Sequence, residues 1–240
     1  MLLEVCVNSL ESAHNAQNAG ADRIELCVEL GVGGVTPSYG LLKSVKEQIS
    51  IPVHVLIRPR SGDFTYSSLE FEIMKQNIAL CVEMGFEGIV SGILNKDFTL
   101  DVLRTQKLIE ISEKLSFTFH RAFDWVKEPF VTLEQLEDLG VNYILSSGQQ
   151  KSSLEGLELL VELQKKAKKI YIMPGGGITP QNVHSFKEKK FQTVHLSGVK
   201  FKNTLNENPE ISLNSLSLLR DDGVAVTSLE TIRKMVSFVK

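Results

Sequence analysis

Short candidate strands alternate with helical segments about eight times along this chain, and several of those strands have one apolar and one polar face. Read by alternate residues, the first strand puts Glu4, Cys6 and Asn8 on one side, the second Glu25 and Cys27, and the third His54 and Arg58. The fifth gives Thr118 and His120, and the last Thr193, His195 and Ser197. Their opposite sides are Leu3, Val5, Val7; Ile24, Leu26; Val53, Val55, Ile57; Phe117, Phe119; and Val194, Leu196. Side chains alternate between the two faces of a strand. A polar face ordinarily meets water, but helices between the strands imply a covered sheet. The polar faces then converge inside, or at the mouth of, a closed barrel. An open doubly wound sheet would have central strands that are apolar on both faces, and these are not. The pattern predicts an α/β fold, a single (β/α)8 TIM-like barrel of parallel strands joined by right-handed crossovers. No linker or composition break interrupts it, which predicts one domain over residues 1–240.

The length agrees, since 240 residues is close to the ~250 of a typical barrel of this kind. The net charge of -3 gives no electrostatic case for nucleic acid or an acidic membrane surface. No apolar run approaches the ~20 residues of a membrane span, and Met1 to Asn8 carries Glu4 but no basic leader. Three cysteines far apart in sequence argue against a disulfide framework. A cytoplasmic protein with reduced thiols is the expectation.

In such barrels chemistry gathers at the C-terminal ends of the strands. That rule selects Cys27, Arg58, Arg60, Asp63, Ser91, His120, Arg121, Asp124, Ser147, His195 and Ser197. His120 and Asp124 flank the exit of the fifth strand, and with Glu25 they are candidates for acid–base work. Arg58 and Arg60 leave the third strand at the same end, where a guanidinium can grip phosphate or carboxylate by two hydrogen bonds. Gly175-Gly176-Gly177 follows the seventh strand, where barrels often bind phosphate on backbone N–H groups; Ser197 follows the eighth. The competing reading is an ion-pair network that holds the loops, with Arg58 and Arg60 consumed by Glu4, Glu25, Asp63 or Asp124. Cys6 and Cys27 share a parity on adjacent strands ~4.8 Å apart, close enough to share one soft metal ion; thiolates suit Cu(I) or zinc. The alternative is two small, buried, inert thiols. Cys81 falls among Ala79, Leu80 and Val82 of a helix and reads as core. His54, near a strand start, reads as structural.

Several strings resemble the CutC family. They are Gly20-Ala21-Asp22-Arg23-Ile24-Glu25-Leu26-Cys27, Gly33-Gly34-Val35-Thr36-Pro37-Ser38, Ile57-Arg58-Pro59-Arg60-Ser61-Gly62-Asp63-Phe64, Thr118-Phe119-His120-Arg121-Ala122-Phe123-Asp124 and Met173-Pro174-Gly175-Gly176-Gly177-Ile178. The resemblance implies a TIM-like barrel, a cytoplasmic copper homeostasis role and a Cu(I) site at Cys6 and Cys27. The chain departs from the family after the eighth strand, where Val194-His195-Leu196-Ser197-Gly198-Val199-Lys200 stands in place of a run ending serine-alanine-arginine; Lys200 is the candidate substitute for that arginine. Two functions remain open at this point. One is copper binding through Cys6 and Cys27. The other is an enzyme acting on a small phosphorylated or carboxylated metabolite, with His120, Glu25 or Asp124 moving protons and Arg58, Arg60, the glycine run, His195 and Ser197 holding the anion. The expected partners are a copper ion or a small anionic molecule, with a homo-oligomer also open.

Overall fold

The structure is a computed structural model that describes residues 1–207, 210–211 and 223–240. Its eight core strands are β1 (Leu2–Val7), β2 (Arg23–Leu26), β3 (Val53–Leu56), β4 (Gly88–Ser91), β5 (Ser116–Phe119), β6 (Tyr143–Ser146), β7 (Tyr171–Pro174) and β8 (Thr193–Leu196). All pair in parallel, in the order β7-β6-β5-β4-β3-β2-β1-β8. The remaining seam, between β7 and β8, is spanned by a parallel bridge from Gly175 to His195. The approach is close at Gly175, where a Cβ would sit 3.3 Å from His195 Cβ and 2.4 Å from Leu145 Cδ1. The result is a nearly closed (β/α)8 barrel.

Helices α1 (Leu10–Ala19), α2 (Tyr39–Gln48), α3 (Ser68–Glu83), α4 (Val102–Ile111), α5 (Pro129–Asp138), α6 (Leu157–Lys166), α7 (Val183–Glu188) and α8 (Leu229–Val239) wrap the outside. The alternation seen in the sequence decides which side of each strand they cover. Leu3, Val5, Val7, Ile24, Leu26, Val53, Val55, Phe117, Phe119 and Val194 belong to one buried apolar cluster with Ala13 and Ala16 of α1, Leu42 of α2, Ile78 of α3, Leu108 of α4 and Ile232 of α8. The polar faces are left for the barrel interior.

Ser9 is the N-cap of α1 and accepts from the Ser12 N–H. Ser38 caps α2 in the same way, accepting from the Leu41 N–H. Both have the extended backbone usual for a cap. α7 starts at Val183 after Asn182, which makes no side-chain cap. Beyond β8 the chain forms an antiparallel pair, β9 (Val199–Asn203) and β10 (Gly223–Thr227). Most of the segment that joins them lies outside the described residues.

Candidate functional site

The barrel interior is built in tiers. The lower one is centred on Glu4, which is fully buried and whose Cα pairs with Arg23 on one side and His195 on the other. One carboxylate oxygen accepts from Arg23 Nε, and the other lies 2.8 Å from His195 Nδ1. Burial alone would raise the pKa of Glu4, but Arg23 and His195 outweigh it and hold the carboxyl well below its usual range. Burial also works against a charged His195; Glu25 and Glu4 overcome it and raise that imidazole above its ordinary 6.5. Arg23 stacks over Tyr143, its Cζ 4.1 Å from the ring centroid. His54 packs its ring edge against Tyr143 and stays neutral, its pKa pushed down to about 4 by burial and by Arg23.

Two residues further along β1, Cys6 is level with Glu25. Cys6 Sγ lies 3.3 Å from Cys27 Sγ and 3.4 Å from Glu25 Oε1. Cys6, Glu25 and Cys27 present ligand atoms that all fall within 4.8 Å of one another. Glu25 Oε2 is buried and, among the described residues, has no hydrogen-bond partner. The contact with Cys27, then burial, pushes the Cys6 thiol well above its usual pKa. Burial likewise raises Glu25. Cys6 and Glu25 line a cavity of about 740 Å³ that opens at the C-terminal end of the barrel, whereas Cys27 behind them is fully buried.

The cavity walls above this tier carry Arg58, Phe64, His120, Arg121, Asp124 and Trp125. Arg58 is 5% exposed. Its guanidinium donates to the carbonyls of Val32 (2.8 Å), Gly34 (2.7 Å) and Gly62 (2.9 Å), leaving Nε–H without a partner. His120 Nδ1 accepts from the Ala122 N–H at 3.2 Å, which puts the ring proton on Nε2, and Nε2 is buried without a partner. Burial, then the Arg58 charge, lowers its pKa to about 3, so the imidazole is neutral at pH 7. The ring fits only because residue 92 is glycine: a Cβ there would stand 2.7 Å from His120 Cε1.

The expected site residues do not all converge. Cys6, Glu25, Arg58, His120, Asp124, Gly176, Gly177, His195 and Ser197 line one cavity. The expected pairing of Glu4 or Glu25 with Arg58 does not form; Glu4 takes Arg23, and Arg58 turns to backbone carbonyls instead. Arg60 faces a separate surface recess and is held by Glu70 (2.5 Å) and Asp63 (3.2 Å), so it does not reach the mouth. Asp124 accepts from Ser146 Oγ, Ser147 N and Oγ and pairs with Arg121, an arrangement that braces the loop after β6. Gly175 donates its N–H to Ser146 and forms the seam with β8, so the glycine run offers the cavity Gly176 and Gly177 only. Lys200 lies on the surface near Glu230, 3.7 Å away, and does not take up the place of an arginine in the site. Sequence reasoning passed over Arg23, although it has the same parity as Glu25 and Cys27. It also missed the aromatic rim of Phe64 and Trp125, whose rings meet edge to face at 4.8 Å.

The molecule is a (β/α)8 barrel protein with two adjacent thiols, buried carboxylates and histidines in its interior, beneath a cavity that opens at the C-terminal mouth. The CutC family model matches residues 1–200, and this chain belongs to the CutC family. It is 44% identical to the human copper homeostasis protein cutC homolog over 98% of this chain and 90% of that protein. A CutC family protein of Pectobacterium atrosepticum is 46% identical over 81% of this chain and 77% of its own length. A solved CutC structure from Streptococcus agalactiae superposes with a TM-score of 0.78 at 32% identity, covering 82% of this chain and 98% of that one. Thiamine phosphate pyrophosphorylase from Pyrococcus furiosus has the same fold at 14% identity, with a TM-score of 0.62 over 99% of this chain and 95% of that one; at that identity the likeness is one of fold alone.

Proposed function

We propose that this CutC-family protein binds Cu(I) inside the barrel through Cys6 and Cys27, in keeping with the copper homeostasis role in the name of its human relative. The observation that carries the reading is the 3.3 Å separation of the two sulfurs, Cys6 on β1 and Cys27 just past the end of the adjacent β2. Metal–thiolate bonds are about 2.3 Å in zinc sites, so one ion can touch both sulfurs without rearrangement of the strands. Two thiolates are a soft donor set, which suits Cu(I). Glu25 completes the group: its Oε2 is a buried oxygen with no partner among the described residues, and its Oε1 is 3.4 Å from Cys6 Sγ, placed to relay to solvent through the cavity the proton the thiol gives up on binding. The ion arrives through the mouth, because Cys6 lines the cavity. Cys27 is the inner anchor. The reduced state of all three cysteines fits a cytoplasmic location. Among the described residues no helix is long and apolar enough to cross a membrane.

Competition for Cu(I) against a chromophoric chelator tests the reading. The reduced protein should withdraw one equivalent of copper, and Cys6→Ser and Cys27→Ser should each abolish this. Cys81→Ser should not, because Cys81 is buried separately in α3. Equal affinity of the wild type and the Cys6→Ser/Cys27→Ser double variant would defeat the proposal.

A further inference from the structure

The upper cavity wall contains groups that copper binding does not use. Arg58 is a buried cation whose guanidinium donates to three neutral backbone carbonyls and lies beside the Tyr66 hydroxyl, so every group it touches is uncharged. Among the described residues it makes no ion pair with a carboxylate. A buried charge without a counter-charge is costly, and Asp124, the acidic residue on the same wall, is taken up by Arg121, Ser146 and Ser147. His120 is a buried N–H donor on the same cavity wall. Phe64 packs against both residues, its ring 4.8 Å from the His120 ring and 5.2 Å from Arg58 Cζ. Arg58 Nε and His120 Nε2 are buried and, among the described residues, have no geometric hydrogen-bond partner; both residues line the cavity. Glu25 Oε2, at the cavity floor, is a buried acceptor that has no partner among the described residues and is available in the metal-free protein. Buried donors without acceptors are uncommon in folded proteins, and each calls for an explanation.

We propose that the cavity is a second binding site, for a small hydroxylated oxyanion of hydroxy-acid or sugar-phosphate chemistry. Arg58 Nε–H and His120 Nε2–H donate to the oxyanion, Arg58 supplies the balancing charge, and Glu25 Oε2 meets a hydroxyl at the other end. The volume of about 740 Å³ is within the ~300–1,000 Å³ of small-molecule sites. Phe64, Trp125, Leu30 and Ile178 give the carbon skeleton an apolar wall. This site does not depend on the copper reading.

Trp125 is the single tryptophan of the chain and lines the cavity, so its emission reports occupancy. Reduced, chelator-treated protein is titrated with inorganic phosphate, lactate, glycerol 3-phosphate and ribose 5-phosphate; glycerol and matched potassium chloride serve as controls. At least one oxyanion should give a saturable change in Trp125 emission and a rise in melting temperature that neither control gives. Carboxylate against phosphate probes decide which oxyanion is taken. His120→Phe keeps the ring stacked on Phe64 but removes the donor, and Arg58→Met removes the charge; each should weaken binding about tenfold or more, as loss of a hydrogen bond to a charged group does. Absence of a saturable response from all four probes overturns the proposal, and so does wild-type affinity in His120→Phe. If Arg58→Met fails to fold, His120→Phe and the wild-type titrations decide it. Because no metal is present, failure here leaves the copper site standing, and failure of the copper site leaves this one standing.

Discussion

His195 Nδ1 meets Glu4 Oε1 at 2.8 Å across the β1–β8 pairing, while Arg23 holds the other oxygen of the same carboxylate. One fully buried carboxylate therefore joins three adjacent strands, next to the seam where the barrel closes. Replacing Glu4 with leucine leaves Arg23 buried and unpaired, which should cost about 3–5 kcal/mol. Glu4→Leu combined with Arg23→Met should recover most of that, because an apolar pair of similar volume substitutes for a buried ion pair at little net cost. Urea denaturation of the three proteins measures it; a loss under about 1 kcal/mol in the single variant would mean that the pair does not brace the interior.

Copper affinity should rise with pH. The Cys6 thiol is held well above its usual pKa by its contact with Cys27 and by burial, so binding must displace its proton. Each thiol proton released makes the apparent dissociation constant fall about tenfold per pH unit. Chelator competition at pH 6, 7 and 8 reads this directly. A flat profile would show that the bound ion takes no proton from Cys6.

Acid should destabilise the fold partly through His54. Its pKa is about 4 in the folded protein against 6.5 when free, because it is buried beside Arg23. The unfolded chain therefore takes up this proton first as pH falls below 6.5, and stability present at neutral pH is lost between 6.5 and about 4. The shift corresponds to about 3 kcal/mol. His54→Gln should show a shallower loss of stability between pH 7 and 4.5 than the wild type. Comparing the two isolates His54 from His195 and Glu25, whose raised pKa values act in the opposite sense. Parallel stability curves for the two proteins would refute the assignment.

Gly92 should resist even a methyl group. An alanine Cβ there would stand 2.7 Å from His120 Cε1 and 3.2 Å from Ala122 Cβ. The ring has little room to yield, since it packs on Phe64 and its Nδ1 is tied to the Ala122 N–H. Gly92→Ala should cost about 1–3 kcal/mol, the usual range for overpacking. Thermal unfolding checks this, and an unchanged melting temperature would mean that His120 has an alternative position.

The period-two alternation of polar and apolar residues in the strands, with helices between them, was enough to give the barrel and to say which side of β1, β2, β3, β5 and β8 faces inward. That information is local: each side chain's face follows from its parity, and Cys6 and Cys27 share one. The family was legible for a similar reason, since its strings are contiguous along the chain. The partners of the charged groups were not legible. Arg58, Arg60 and Arg23 have equivalent guanidinium groups, and parity alone gave Arg58 to Glu4 or Glu25. Strand register decided otherwise. Arg23 is the direct Cα partner of Glu4, so it takes that carboxylate. The loops after β2 and β3 fold back over Arg58 and present it with carbonyl groups. Arg60 lies two residues beyond Arg58, past the rim, where Glu70 of α3 reaches it first. Strand faces depend on neighbours in sequence, whereas ion pairs depend on distances of a few ångströms between residues far apart in the chain, and those distances exist only once the barrel has closed.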